Sequence, residues 1–597
     1  MNAIFNQKRI LAIIETAIVM ALLSGCGGSS DSSSDSSSSR NSSNTSAYDA
    51  SVNSDASLLD LTLTGATLEQ LFQPTQTAYS ASVGFLQTSV TLTPIAGDAG
   101  ATIRINGAEV VSGSASAAIA LAEGQNLISL EVTAKNGVTT QSYSIEILRG
   151  YASGFAQQAY IKASNAGGGD WFGTSVALSG DTLVVGTPFE DSSASGGEAD
   201  NSADQTGAAY VFTRSGGVWS QQAYLKASNA EGGDRFGRSL AISDDTLVVG
   251  AWGEASSANG GEADNSAEDA GAVYVFTRSD GVWNQQAYLK ASNAEANDAF
   301  GYSVAISDDT LVVGAINEAS SASGGETDNS VEDAGAVYVF TRSAESWNQQ
   351  AYLKASNAGW NDTFGASVAI SGDTLVVGAI NEESSATGGE ADNSTSKAGA
   401  AYVFTHSDGV WSQQAYLKAS NAETDDAFGY SVAISGDTLA VGAINEASNA
   451  SGGEADNSVD DAGAVYLFTR NDGVWSQQAY LKARNAESDD QFGYSVAISG
   501  DILVVGAIGE ASSTGGGEAD NSTNYAGAAY VFTRSGEAWS QQAYLKASNA
   551  ELGDFFGYSV AISGDTLAVG AKNEASNSSG GEADNSAPSA GAVYTWQ

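Results

Sequence analysis

Cysteine is nearly absent: Cys26 is the only one in 597 residues. That excludes a disulfide framework and any zinc site built on cysteine pairs. A single histidine, His406, makes imidazole chemistry improbable, and four prolines exclude a proline-rich spacer. Positive charge is scarce too: 23 Lys and Arg stand against 70 Asp and Glu, a formal net charge of −47. Such a chain repels phosphate, so nucleic acid is not an expected partner. What is plentiful is glycine, 69 residues, and apolar side chains, 42% of the chain. Together these read as an acidic, turn-rich, all-β protein with real cores and several domains.

Lys8 and Arg9 precede an apolar stretch from Ile10 to Leu23 that is too short to span a bilayer, which needs ~20 residues, and suits the apolar region of a signal peptide. It ends in Leu23-Ser24-Gly25-Cys26, which resembles the bacterial lipobox. The resemblance implies cleavage after residue 25 and acylation of Cys26; Gly27 in place of Asp implies sorting to the outer membrane. Residues 26–54 are mostly Ser, Asp, Asn and Gly, too polar to offset their ordering entropy, and read as a flexible tether.

From Asp55 to Arg149 the text alternates apolar and polar residues, as in Leu59–Leu63, Val90–Thr93, Thr102–Ile105, Leu127–Val132 and Tyr143–Ile147. With turns at Asn106-Gly107, Glu123-Gly124 and Asn136-Gly137, the pattern predicts five to seven short antiparallel strands. The segment is similar to the cadherin-like β-sandwich modules of bacterial surface proteins, which implies a spacer or adhesion role for 55–149.

Residues 150–597 are periodic. Phe-Gly begins at Phe172, Phe236, Phe300, Phe364, Phe428, Phe492 and Phe556, always 64 residues apart. Within one unit, Gly301–Ser307, Thr310–Ala315, Gly335–Phe340 and Trp347–Lys354 read as four strands, the second apolar throughout and so covered on both faces. The fourth-strand motif also occurs at Gln157, ahead of the first Phe-Gly, while the last unit stops after its third strand. Pairing the two would hide both edges and close a seven-bladed β-propeller. Phe-Gly, Gly-Asp-Thr-Leu-Val-Val-Gly-Ala and Gly-Ala-Val-Tyr-Val-Phe resemble the FG-GAP repeat of the integrin α-chain. The resemblance implies a seven-bladed propeller for extracellular recognition, in some members with calcium. The integrin calcium loop between the first two strands has no counterpart in this sequence, where only Ser-Gly-Asp or Ser-Asp-Asp stands there.

The polar loop between the second and third strands carries the candidate ligands. It opens on Glu190, Glu254, Glu318, Glu382, Glu446, Glu510 or Glu574. A carboxylate, carboxylate, amide set follows: Glu198, Asp200 and Asn201; Glu262, Asp264 and Asn265; Glu326, Asp328 and Asn329; Glu390, Asp392 and Asn393; Glu454, Asp456 and Asn457; Glu518, Asp520 and Asn521; Glu582, Asp584 and Asn585. The set persists while the residues after it vary, and Ca²⁺ takes six to eight such oxygens; the alternative is Asx-turns that fold the loop without metal. The acid before each Phe-Gly (Asp170, Asp234, Asp298, Asp362, Asp426, Asp490, Asp554) reads as a turn former. Trp219, Trp283, Trp347, Trp411, Trp475 and Trp539, with Phe155 in the seventh place, read as packing between units, and His406 as a surface variant of an arginine.

Equal units offer no asymmetric site for catalysis, and neither the arginine cluster and Asp-boxes of propeller sialidases nor the His or Cys ligands of haem and quinone propellers occur. The reading is a lipid-anchored cell-envelope protein whose monomeric propeller binds a protein or glycan non-enzymatically, with Ca²⁺ as the one cofactor considered. The alternatives are an acidic surface-coat or calcium-buffering protein and, less favoured, a propeller hydrolase.

Overall fold

The computed structural model describes residues 54–596 apart from short stretches within that span, the longest being 150–156. Cys26, the leader and the tether up to residue 53 lie outside the described residues, as does Phe155.

Among the described residues, the first β domain has eight strands rather than five to seven: β1 Leu58–Thr64, β2 Ala78–Val83, β3 Ser89–Ala96, β4 Thr102–Ile105, β5 Ala108–Val110, β6 Ile119–Ala120, β7 Gly124–Thr133 and β8 Thr140–Arg149. They form two sheets, β1-β3-β6 and β2-β8-β7-β4-β5. Alternation works as expected in β3, where Val90, Leu92, Pro94 and Ala96 are buried and the residues between them are not. Leu58, Leu92, Val132, Ile145 and Ile147 are fully buried in the core. One pairing departs from the antiparallel expectation: β2 runs parallel to β8, with Ala78 opposite Ser144. Of the pair read as a turn at Glu123-Gly124, Glu123 lies outside the described residues and Gly124 is the first rung of β7, opposite Arg149.

The repeats begin with β9, Gln157–Ile161, followed by a first complete sheet of β10 Ser175–Ser179, β11 Thr182–Thr187, β12 Ala208–Ser215 and β13 Val218–Leu225. Seven four-stranded antiparallel sheets follow this plan. In the first, every residue of β11 is buried, as a doubly covered strand requires. The first turn of each unit needs positive φ at its middle residue; Gly180 sits at +55° and Asp308 at +51°. The seventh sheet has only three strands of its own, and β9 supplies the fourth, with Val593 opposite Ile161 and Tyr594 opposite Tyr160.

Phe-Gly is the joint between sheets. Phe300 is fully buried and stands edge-on to Tyr338 at 5.3 Å and Phe340 at 6.1 Å. Gly301 has φ +89°, and a Cβ there would lie 2.6 Å from the Ala272 carbonyl oxygen, so only glycine fits. That glycine's carbonyl accepts a hydrogen bond from Ser239 of the preceding sheet at 2.8 Å. The same bond recurs from Ser175 to Gly237, Ser303 to Gly365, Ser367 to Gly429, Ser431 to Gly493 and Ser495 to Gly557. A further copy runs from Ser559 in the seventh sheet back to Gly173 in the first, at 2.8 Å.

Candidate functional site

The glutamate that opens each long loop is a buried structural ion. Glu318 and Lys354 pair at 3.1 Å with side chains 1% and 5% exposed. Glu318 also accepts from Asn293, from Ser320 through amide and hydroxyl, and from the Tyr352 hydroxyl. Lys354 donates in addition to the Gly335 carbonyl, tying the loop's two ends together. Burial pulls the lysine below its ordinary pKa, and Glu318 opposes the shift. All seven units carry this pair; in the seventh it joins Lys162, just after β9, to Glu574. Replacing Lys354 by Met should leave a buried carboxylate uncompensated and cost about 3–5 kcal/mol. Urea unfolding of the variant, in which a loss below 1 kcal/mol would be incompatible with this role, measures it.

The loop carboxylates and amides predicted as one ligand set are brought to separate partners. Glu198, Glu262, Glu326, Glu390, Glu454, Glu518 and Glu582 each accept from a fourth-strand glutamine, Gln221 at 2.7 Å in the first unit and Gln157 of β9 in the last. Asp200 accepts from the amide and hydroxyl of Ser193 and from Ser202, closing the loop on itself. These hydrogen bonds, led by the Ser193 hydroxyl, hold it below the usual carboxylate range. Asp264, Asp328, Asp392 and Asp520 repeat that pattern, and Asp456 and Asp584 take an Asn amide in place of serine. Asn265, Asn329, Asn457, Asn521 and Asn585 donate to a glutamate in the loop that leads into the first strand of their own sheet. Asn201 and Asn393 face Gly167 and Gly359 at the corresponding position and lack that bond. Among the described residues, no group of three or more acidic, His or Cys side chains is placed to hold a metal ion.

The acids before Phe-Gly cap backbone turns as expected: Asp298 accepts from the Glu295 amide at 2.7 Å. Burial, the largest effect, drives its pKa up to about 7 against that hydrogen bond. The tryptophans pack between units as expected. Trp283 donates to Gln222 of the preceding sheet at 3.1 Å, and Arg278 lies 5.2 Å above its ring while pairing with Asp245 at 2.6 Å. His406 is more than a surface variant, because its ring stacks on Trp411 at 5.1 Å and reaches Asp373 at 3.4 Å, as the arginines do.

The site that repetition concealed is where the first strands meet. A cavity of about 300 Å³ is lined by residues from all seven of them. Its lining is unlike from unit to unit: the residue after each Phe-Gly is Thr174, Arg238, Tyr302, Ala366, Tyr430, Tyr494 or Tyr558. Tyr430, Tyr494 and Tyr558 form a ladder with centroids 5.1 and 5.0 Å apart. Arg238 stands 5.0 Å over the Tyr302 ring. Lys572, which follows the last unit's second strand, lies 3.9 Å from the Tyr558 centroid, 4.3 Å from Trp171 and 5.6 Å from Phe555. Burial raises the Tyr558 pKa, but Arg238 and Lys572 outweigh it and the net shift is downward; burial pushes Tyr430 up to about 12. The clue in the sequence is one column that changes between invariant neighbours.

A sandwich followed by seven copies of one four-stranded sheet defines a repeat protein of the adhesion or binding type. Residues 58–150 match the cadherin-like beta sandwich domain. The FG-GAP repeat matches at 155–212, 219–276, 283–340, 347–404, 411–468, 475–532 and 539–595, well over half the chain. The chain belongs to the FG-GAP repeat family. It is also 34% identical over 110 residues to a protein of Evansella cellulosilytica named "Putative membrane protein", a match spanning 18% of this chain and 16% of that one.

Proposed function

We propose that the protein is exported, lipid-anchored through Cys26 at the outer membrane, and binds a protein or glycan partner without chemistry through seven sheets closed into a propeller. Closure is supported by the serine-to-glycine bond that returns from Ser559 to Gly173 and by β9 in the seventh sheet.

The observation that carries the binding role is where the copies differ. In an antiparallel four-stranded sheet, the connection from second to third strand and the connection out of the fourth lie at one end. The latter connections place unlike side chains at one position, among them Trp360, 68% exposed, and Leu552, 73% exposed, where other units have Gly, Ala, Ser or Thr. Isolated apolar side chains of this size on a constant frame suit a contact surface. The charge of −47 also favours an acidic coat or calcium buffer, but such a role makes no use of unlike residues at matched positions.

Calcium enters the proposal through the loop carboxylates, where it would compete with the glutamine and serine donors. Capture from native envelope and matrix material, with and without chelator, tests both points. The wild type is expected to retain a partner that the Trp360→Ser/Leu552→Ser variant loses at least tenfold. No retained partner counts against the binding role, and capture that survives chelator removes calcium.

A further inference from the structure

Seven similar strands converge on one cavity, yet the groups they bring there are chemically distinct. Arg238 in the lining, and Lys572 against the lining residue Tyr558, stand out because the chain is so acidic. Most lysines and arginines of the repeats meet a carboxylate, as Lys354 meets Glu318 and Arg278 meets Asp245; among the exceptions, Arg235 stacks on Trp252 and Arg484 bonds to Gln541. Among the described residues, Arg238 and Lys572 form no such ion pair, and each faces tyrosine rings instead. Burial pulls the Lys572 pKa down, and Arg238 adds a smaller push in the same direction, while both cations act on Tyr558. Holding two like charges in a partly buried place without a counter-ion is unfavourable, and an incoming anion relieves it.

From Lys572 runs the arc of Tyr558, Tyr494 and Tyr430. All three tyrosines, with Arg238, Tyr302 and Lys572, remain partly exposed, so a solute can reach them. Half-exposed phenols offer apolar faces and hydroxyl tips together, which suits a ring bearing both C–H and O–H groups. The cavity, about 300 Å³, lies at the small end of ligand sites, which run ~300–1,000 Å³. A polyanion is opposed by the charge of −47; a single terminal residue is not.

We propose that Arg238, Lys572 and the tyrosine arc form a binding site for a terminal uronic acid of a glycan, the carboxylate between the two cations and the sugar ring against Tyr430, Tyr494 and Tyr558. This rests on the binding-module reading and names the chemistry one partner presents.

Calorimetric titration of the full chain with galacturonate and glucuronate, and with galactose, glucose, acetate and a short peptide ending in glutamate, tests it. Hexuronate binding is expected, with no heat from the neutral sugars and at least tenfold weaker binding of acetate and peptide. Arg238→Gln and Lys572→Gln should each weaken hexuronate binding tenfold or more, with Arg238→Lys retaining part of it; unchanged near-ultraviolet dichroism establishes that each variant is folded. Equal binding of neutral sugars, equal binding of the peptide, or no hexuronate binding would each overturn the assignment. A partner captured by the intact protein equally well after Arg238→Gln would remove this site and leave the binding module standing.

Discussion

Replacing Tyr160 by Pro should destabilise the repeats more than the matched change Tyr352→Pro in the third sheet. Proline removes a ladder donor and fits poorly inside a sheet, at a cost of about 3 kcal/mol or more. In the third sheet, that damage falls on a strand joined covalently to its partner by a tight turn. In the seventh sheet, β9 meets the last strand with no such turn; hydrogen bonds and side chains alone hold it, through pairings such as Val593 with Ile161 and Tyr594 with Tyr160. Once β9 is released, the last strand becomes an unpaired edge open to another chain. Tyr160→Pro is therefore expected to lower Tm by on the order of 10 °C and to give concentration-dependent association, while Tyr352→Pro stays monomeric. Calorimetry with light scattering would show both effects; equal behaviour of the two variants would mean that β9 is dispensable.

Stability should fall as pH rises from 5 to 7.5. Burial raises Asp170, Asp234, Asp298, Asp426, Asp490 and Asp554 to about 7, and Asp362 to about 6, from 3.8. The native state therefore holds protons between about pH 4 and 7 that the unfolded chain has released, so stability declines across that window. Below 3.8 the direction reverses, because Asp200 and its counterparts are held below their ordinary value by hydrogen bonds to Ser193 and its equivalents. At about 1.4 kcal/mol per unit, the seven buried acids together lose on the order of 10 kcal/mol between pH 5 and 7.5, and Tm should drop by roughly 10 °C. Asp298→Asn, which keeps an acceptor for the Glu295 amide, should raise Tm at pH 7.5 by clearly more than it does at pH 5. A Tm that climbs over this range would show that the aspartates are ionised in the fold.

Much of the fold is legible in the residues because its causes are local. Leu311–Ala315 has no polar side chain and is buried at every position; Asp308 and Gly180 occupy the same place in a positive-φ turn. The join of the first and last segments follows from counting strands. The β2–β8 pairing is less legible, since nothing in Ala78–Val83 says that its partner lies at Ser144–Arg149 or runs parallel. The loop carboxylates were visible as constrained, yet constraint does not name its cause: Asp200 is fixed by serine hydroxyls in its own loop and Glu198 by Gln221. The cavity residues escaped notice for the opposite reason. Period-seeking rewards agreement, and Arg238, Tyr302 and Tyr558 matter through their disagreement at one position.

The place of β9 has a mechanical consequence. Tension applied through the N-terminal segment enters at Gln157 and is directed along the strand that completes the seventh sheet. Its rungs to the last strand lie across that pull and share the load in shear instead of parting one at a time, while Lys162 and Glu574 secure the far end. A pull from that side is thus resisted in the seventh sheet by many bonds at once.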